Sequence, residues 1–157
     1  MTGEQMWAAF TAGHPEAADA DYDAWAFGGD PDGLAALVLS GVKTATASAH
    51  PLYELEGEPL PEAGEYSVIL DSREEAVCVI RTDRAVLIPY REVGADHARR
   101  EGEGDLSLAY WREVHKRFFK DELAASGLIF TEDMPVVCET FHTVWPEQGK
   151  RGKHHVD

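Results

Sequence analysis

The chain has 157 residues, of which 44% are hydrophobic, which is enough for one domain with a substantial core. Its formal net charge of −15 disfavours non-specific adhesion to nucleic acid or to an anionic membrane, although it does not exclude a local basic site. No segment approaches the roughly 18 apolar residues of a transmembrane helix, and no basic segment followed by an apolar run marks a signal peptide. We therefore expect a cytoplasmic protein that binds neither membranes nor DNA.

We expect residues 1–147 to form a single domain and residues 148–157 to be a mobile polar tail. The two cysteines, Cys78 and Cys138, each lie in an apolar, strand-like run, and no Cys-x-x-Cys spacing occurs. This arrangement predicts two buried free thiols in a reducing compartment.

The first segments of the chain predict two helices separated by an irregular stretch. Apolar residues at helical spacing predict a short helix over residues 4–12, and the acidic residues 13–30 are expected to be irregular. A second helix is expected to begin at Asp30, which can cap it, with Pro31 in its first turn. Gly41 suits the left-handed position that ends such a helix.

Residues 43–48 are expected to form a strand in which Thr and Ala alternate. On a regular strand Lys43 and Thr46 point to opposite faces, so they converge only if the chain turns or bulges near Lys43. A helix that ends at Gly41 allows such a turn. The next segment, residues 49–64, is rich in Glu, Pro and Gly and is expected to be a loop.

The second half of the chain predicts more strands than helices. Strands are expected over residues 65–71, 76–90 with a bend near Asp83, and 135–144, and helices over 95–100 and 107–124. Few helices and about five strands, without alternation of strand and helix, predict an α+β fold with a curved or barrel-like sheet.

Lys43 is the only Lys or Arg among the first 72 residues, which carry thirteen Asp and Glu. Thr46 follows it three residues later. A threonine hydroxyl becomes a nucleophile when a base or an amine removes its proton, and a charged lysine can stabilise an oxyanion or bind phosphate. In the structural interpretation, Lys43 pairs with a local carboxylate and Thr46 only suits a strand. The residues alone leave both interpretations open.

Three carboxylates, Glu101, Glu103 and Asp105, alternate with glycines before the longest predicted helix. One of them can act as a general base near Lys43, or two or more can hold Mg²⁺ or Mn²⁺. For Asp105 we favour a role in capping the following helix. For the two glutamates, solvation and chemistry stay open.

Aromatic and basic side chains near these segments are candidate ligand contacts. Trp25, Phe27 and Tyr53 can stack on a base or fill the core, and Arg112, in a basic stripe of the longest helix, can meet phosphates or be solvated. His115 lies on the apolar stripe of that helix and is expected to be packed. The sequence has no zinc-type His and Cys spacing, no phosphate loop and no dinucleotide fingerprint.

Several motifs in the same order resemble the ASCH domain family, over roughly residues 22–145. The Trp-Ala-Phe-Gly run at residues 25–28 and Gly-x-Lys-x-x-Thr at residues 41–46 resemble the opening of that domain. The segments 101–119 and 134–139 resemble its longer bacterial branch. The resemblance implies a PUA-like fold, a small β-barrel of five to six strands flanked by helices, with a cleft for a nucleoside or RNA.

Some small members of the ASCH family are amidohydrolases that remove the acetyl group of N4-acetylcytidine with a lysine, a threonine and a glutamate. The resemblance assigns these roles to Lys43, Thr46 and Glu101, with Glu103 as the alternative acid. This chain is longer than those members, and it has Ala-Ser at positions 47–48, where they often place an arginine. The residues expected to contact the ligand are Trp25, Phe27, Thr44, Tyr53, Glu103 and Arg112.

Three functions remain open at this point. The first is a hydrolase, without a cofactor, acting on an N4-acylated cytosine nucleoside, and the second is a ribonuclease on single-stranded RNA with a divalent metal at Glu101, Glu103 and Asp105. The third is a non-catalytic RNA-binding module. The strong acidity of the chain favours the first function, because it suits a small, weakly charged substrate better than long RNA.

Overall fold

The computed structural model describes residues 1–147. The tail over residues 148–157, for which the sequence predicts mobility, lies outside the described residues. Within the described part, five helices and five strands follow in the order α1 (Gly3–Ala12), β1 (Tyr22–Ala26), α2 (Pro31–Leu39), β2 (Ala45–Ala49), α3 (His50–Glu56), β3 (Tyr66–Leu70), β4 (Ala76–Pro89), α4 (Ala95–Glu101), α5 (Leu108–Ala125) and β5 (Pro135–Trp145). Short 3-10 turns occur at Pro15–Ala17 and Tyr90–Glu92.

The five strands form one sheet that curls into a half-barrel, in the order β1-β3-β4-β5-β2. Strand β1 runs parallel to β3, and all other neighbouring strands in this sheet are antiparallel. The long strands β4 and β5 shift register between Thr82 and Arg84, where the sequence predicts a bend at Asp83. The predicted α+β fold with a curved sheet is confirmed.

Strand β1 corrects the prediction of an irregular segment over residues 13–30. It pairs in parallel with β3, from Tyr22 opposite Tyr66 to Ala26 opposite Leu70. A parallel edge strand obtains its backbone hydrogen bonds from a segment far away in the sequence. Because β1 is acidic and lacks an alternating apolar pattern, its own residues do not predict a strand.

Helix α3 corrects the prediction of a loop over residues 49–64. Pro51 lies in its first turn, and Gly57 ends it with a left-handed φ of 68°. Both signals are present in the sequence, but the Glu, Pro and Gly content of the whole segment obscures one short helix. Strand β2 also begins later than predicted, at Ala45, so Lys43 lies on the turn before it.

The turn between α2 and β2 positions Lys43. Asp30 caps α2, because its side chain accepts a hydrogen bond at 3.0 Å from a backbone amide of the first turn. Gly41 has a φ of 84°, as predicted for the residue that follows the helix. The amide of Lys43 then donates to the carbonyl oxygen of Leu37 at 3.0 Å. The chain therefore turns before the strand, and Lys43 and Thr46 can face the same cavity.

Three apolar clusters surround the sheet, one under α1, one under α2 and one between β5 and the helices α4 and α5. Cys78 and Cys138 are buried free thiols, as predicted. Chiefly because of burial, the pKa of each thiol is raised to about 12. Across residues 1–147, the structure contains no helix that is both long and apolar enough to cross a membrane.

Candidate functional site

Lys43 has an ammonium group surrounded by oxygen atoms, and its side chain is 1% exposed. Nζ donates to the carbonyl oxygen of Ala45 and to Oε2 of Glu103, both at 2.9 Å. It also lies 3.2 Å from Oε1 and 3.4 Å from the backbone oxygen of Glu101. The ring of Phe27, centred 5.3 Å away, adds a cation–π contact. Because all four oxygen neighbours are acceptors, this environment suits a charged ammonium.

Glu101, the last residue of α4, is buried with both carboxylate oxygens occupied. Oε2 accepts a hydrogen bond from the indole N–H of Trp111 at 2.7 Å and lies 2.7 Å from Nε2 of His97. Oε1 faces Lys43 and, at 3.4 Å, Nε2 of His115. Burial alone would raise the pKa of Glu101, but the charge of Lys43 and the hydrogen bonds of the two histidines hold it well below its usual value. Glu101 is therefore a buried anion that ties α4, α5 and the α2–β2 turn together.

His115 on α5 extends this charged cluster. Its Nδ1 donates to the carbonyl oxygen of Trp111 at 2.9 Å, and its ring stacks on that indole. Burial lowers the pKa of His115, but the carboxylate of Glu101, the Trp111 carbonyl and the charge of Glu103 raise it more, so the net shift is upward. The packing on the apolar stripe agrees with the sequence prediction, which missed the contact with Glu101.

The loop over residues 102–107 holds Glu103 against Lys43. Gly102 has a φ of 73°, and a Cβ atom there would lie 2.8 Å from the backbone oxygen of Val42, so this close approach requires glycine. The side chain of Glu103 is 19% exposed, and its Oε1 has no hydrogen-bond partner within residues 1–147. Glu103 is therefore the carboxylate of the cluster that a ligand can reach.

A cavity of about 840 Å³ opens beside the cluster, within the size range of small-molecule sites. Its wall combines the charged cluster with aromatic side chains, namely Trp25, Phe27, Tyr53, Tyr110 and Phe118. The charged residues of this wall are mostly acidic. Counted over residues 1–147, it carries nine Asp and Glu but one Lys and no Arg.

Seven of the residues proposed from the sequence lie on this wall, namely Trp25, Phe27, Lys43, Thr46, Tyr53, Glu101 and Glu103. Thr44 and Arg112 do not. The hydroxyl of Thr44 faces the backbone oxygen of Arg100 at 3.4 Å, and the exposed guanidinium of Arg112 donates to the backbone oxygen of Arg91 at 2.9 Å. The turn near Lys43 and the fold of β2 thus bring Lys43 and Thr46 to one cavity, whereas Thr44 and Arg112 lie elsewhere.

Other basic residues of this region pair with surface carboxylates. Arg99 and Arg100 both contact Asp96, and Lys116 lies 3.3 Å from Glu132. None of these cations belongs to the cavity wall formed by residues 1–147. The basic stripe of α5, formed by Arg112, Lys116 and Lys120, therefore does not line the cavity.

Asp105 stabilises the start of α5, as the sequence analysis favoured. Its carboxylate accepts a hydrogen bond from the amide of Ser107 at 2.9 Å, and Ser107 is the N-cap residue. The hydrogen bonds with Ser107 lower the pKa of Asp105. Among residues 1–147, no group of three or more His, Cys, Asp or Glu side chains is arranged to hold a metal ion.

Glu139 and Thr82 form a second buried polar pair on the cavity wall, which the sequence analysis missed. The hydroxyl of Thr82 donates to Oε2 of Glu139 at 2.6 Å. Burial raises the pKa of Glu139, the Thr82 hydrogen bond lowers it less, and the negative charge of Glu65 raises it further. The available signal was a single acidic residue within the apolar run of residues 135–141.

The curled sheet with flanking helices around a cavity defines a PUA-like domain, a fold class whose members often bind RNA. More specifically, the chain belongs to the ASCH domain family, because the ASCH domain model matches residues 23–145. The resemblance seen in the sequence is thereby confirmed.

Two solved structures are similar to this chain over nearly their whole length. The ASCH domain from Lactobacillus crispatus JV V101 has a TM-score of 0.85 and 30% identity, covering 90% of this chain and 93% of that one. A protein from Enterococcus faecalis V583 has a TM-score of 0.80 and 40% identity, covering 91% of this chain and 92% of that one. No curated protein matches the sequence.

Proposed function

We propose that this ASCH domain hydrolyses the amide bond of an N4-acylated cytosine nucleoside. The observation that carries the proposal is the convergence of a buried ammonium, a hydroxyl and carboxylates on one cavity, from Lys43, Thr46, Glu101 and Glu103. The acidic wall adds support, because nine carboxylates facing one lysine repel a phosphate chain more strongly than an uncharged nucleoside.

Lys43 is assigned the role of stabilising the negative charge that develops on the amide oxygen. Its three N–H donors already have oxygen partners, so a substrate oxygen must displace one of them. Glu103 is the partner to be displaced, because its side chain is partly exposed whereas that of Glu101 is enclosed. A fixed cation in an enclosed site stabilises an oxyanion more strongly than it would in water.

Thr46 is assigned the role of nucleophile. Thr46 lines the cavity, and its hydroxyl makes no side-chain hydrogen bond with any residue of the described part of the chain. It is therefore available to a ligand without breaking an existing contact. A hydroxyl of this kind attacks an acyl carbon when a carboxylate accepts its proton.

Glu103 is assigned the proton transfer, which the sequence analysis gave to Glu101 with Glu103 as the alternative. The contacts favour the alternative, because both oxygens of Glu101 are engaged by Lys43, Trp111 and two histidines. Glu103 has one oxygen on Lys43 and one without a hydrogen-bond partner among residues 1–147. In this scheme Glu101 positions Lys43 and does not touch the substrate.

The reaction proceeds in two steps, acyl transfer to Thr46 and hydrolysis of the resulting ester. In the first, Thr46 Oγ bonds to the acyl carbon and its proton passes to Glu103, which delivers it to the leaving nitrogen as the C–N bond breaks. In the second, water attacks the threonine ester, and one water proton returns through Glu103 to Thr46. The products are the cytosine nucleoside and the carboxylic acid.

Incubation of the purified protein with N4-acetylcytidine tests the proposal, with chromatography of cytidine and acetate as the readout. The wild type is expected to release both, and Thr46→Val to lose at least about 100-fold in kcat, since a hydroxyl nucleophile is removed from a nearly isosteric side chain. Ser126→Ala, in the turn after α5, is the matched control that removes a hydroxyl outside the cavity wall. Folded wild-type protein that releases no cytidine would refute the hydrolase proposal.

A further inference from the structure

Glu139 lines the cavity and carries a buried carboxylate. The residue is 8% exposed and lies on β5. Thr82 donates to Oε2, but no hydrogen-bond donor contacts Oε1 anywhere in residues 1–147. A buried carboxylate oxygen without a donor costs free energy, so this position favours a ligand that brings one.

Glu139 also lies directly beside the proposed nucleophile. In the antiparallel pair of β2 and β5, Thr46 is opposite Glu139. Directly opposed residues share one face of a sheet, with Cβ atoms about 4.5–5.5 Å apart. Both residues line the cavity. An acyl carbon held at Thr46 therefore has its neighbouring atoms within reach of the Glu139 carboxylate.

We propose that Glu139 is a specificity-determining residue that accepts a hydrogen bond from the N–H of the scissile amide. The inference rests on the proposed hydrolysis, since the position of the amide is set by attack from Thr46. The amide nitrogen is bonded to the carbon under attack, so its hydrogen lies two bonds from that carbon, and the proposed pose directs it towards Glu139 on the opposed strand. Thr82 holds the Glu139 carboxylate in place by donating a hydrogen bond to its other oxygen, Oε2.

The chemical consequence is selection of secondary amides. A secondary amide such as N4-acetylcytidine carries the N–H that Glu139 needs, whereas a tertiary amide has a methyl group in its place. Binding the tertiary amide leaves Oε1 of Glu139 without a donor and places a methyl group against it. Sites built to bind a donor discriminate strongly against analogues that lack it.

The test compares N4-acetylcytidine with N4-acetyl-N4-methylcytidine as substrates of the wild type, Glu139→Met and Glu58→Met. The wild type is expected to prefer the secondary amide by about 10- to 100-fold in kcat/KM, the range for a hydrogen bond to a charged group. Glu139→Met is expected to reduce this preference to nearly one. Glu58→Met is the control, because Glu58 is an exposed carboxylate of the same wall and the variant makes the same change of side chain.

Glu139→Gln is the second variant, for use if the methionine variant does not fold. Its single side-chain oxygen is uncharged and must accept from both Thr82 and the substrate, so each hydrogen bond weakens and the preference is expected to fall by more than half. A preference that persists unchanged in both variants would overturn the role of Glu139.

Calorimetric binding in a Thr46→Val background separates this inference from the proposed hydrolysis. If the protein binds the secondary amide more tightly, with a preference that Glu139→Met removes, the role of Glu139 stands even when no hydrolysis is detected. If hydrolysis occurs and Glu139→Met slows both substrates equally, the role of Glu139 fails and the hydrolase proposal stands. If the protein neither binds nor hydrolyses either compound, both proposals fail.

Discussion

The ammonium of Lys43 and the carboxylate of Glu101 lie 58 residues apart in the sequence and meet at 3.2 Å inside the protein. Their side chains are 1% and 2% exposed. Such an enclosed pair requires every other polar atom around it to be satisfied, which Ala45, Trp111 and His97 accomplish here. The pair thus links the stability of the fold to the geometry of the cavity.

Replacing Lys43 by methionine is expected to destabilise the protein by about 3–5 kcal/mol, because it leaves Glu101 as a buried charge without its cation. Urea denaturation monitored by circular dichroism measures the change. Lys116→Met is the control, since Lys116 pairs with Glu132 at the surface, and we expect a change of less than about 1 kcal/mol. Equal losses in the two variants would contradict a special role for the buried pair.

The glutamates Glu101 and Glu103 are expected to separate stability from activity. Glu101→Gln should cost about 3–5 kcal/mol of unfolding free energy, since Lys43 and His115 lose their buried anion. Glu103→Gln should cost about 1 kcal/mol, as one partly exposed contact is weakened, but should lower kcat about 100- to 10,000-fold if it transfers the proton. Denaturation and N4-acetylcytidine turnover of both variants measure the difference. A Glu103→Gln variant with full activity would return the proton transfer to another carboxylate.

His115 is expected to make stability fall as the pH rises above about 6.5, the pKa of an unfolded histidine. Its pKa is raised in the folded protein, chiefly because the contacts with Glu101 outweigh the opposing effect of burial. A raised histidine pKa gives stability that is fully present below the unfolded value of about 6.5 and is lost as the pH passes the folded value. Urea titrations of the wild type from about pH 6 to pH 9 should show this decline.

His115→Gln is the reference for that profile. This variant cannot take up a proton, so its profile over the same range should be flatter than that of the wild type. Parallel profiles for the two proteins would show that another group causes the decline.

Gly102 is expected to be more sensitive to substitution than Gly57, although both have positive φ values, 73° and 68°. Gly57→Ala should cost about 1–2 kcal/mol, the penalty of a left-handed alanine, because no heavy atom lies within 4 Å of the new Cβ. Gly102→Ala adds a contact of 2.8 Å with the backbone oxygen of Val42 and should cost about 2–3 kcal/mol more. It should also reduce turnover, because the loop that carries Glu103 must shift. Thermal and urea unfolding of the two variants provide the comparison.

Much of the architecture could be predicted from local patterns. The cap at Asp30, the glycine at position 41 and the apolar stripe of α5 follow rules that operate within a few residues, and the helices they predict are present. Strand β1 and helix α3 were missed for the opposite reasons. The strand depends on a remote partner, Tyr22 opposite Tyr66, and the short helix is obscured by the composition of its segment.

The candidate site also combines residues that local sequence predicts with residues that only the fold brings together. Lys43, Thr46 and Glu101 were found through residue types, spacing and family resemblance, and they lie on one cavity. Glu139 was not found, because the sequence does not reveal which residue of β5 lies opposite Thr46. The partners of His97 were also missed, although its four-residue spacing from Glu101 on a helix is a usable signal.

The amino-acid sequence by itself determined the family, the α+β class and the segment around Lys43, because motifs, caps and periodicities are local properties of the chain. Tertiary structure alone decided which carboxylate is enclosed, which is accessible and which lies opposite Thr46 in the sheet. The physical reason is that charge state and contact depend on burial and strand register, and both arise only when segments distant in the sequence pack together.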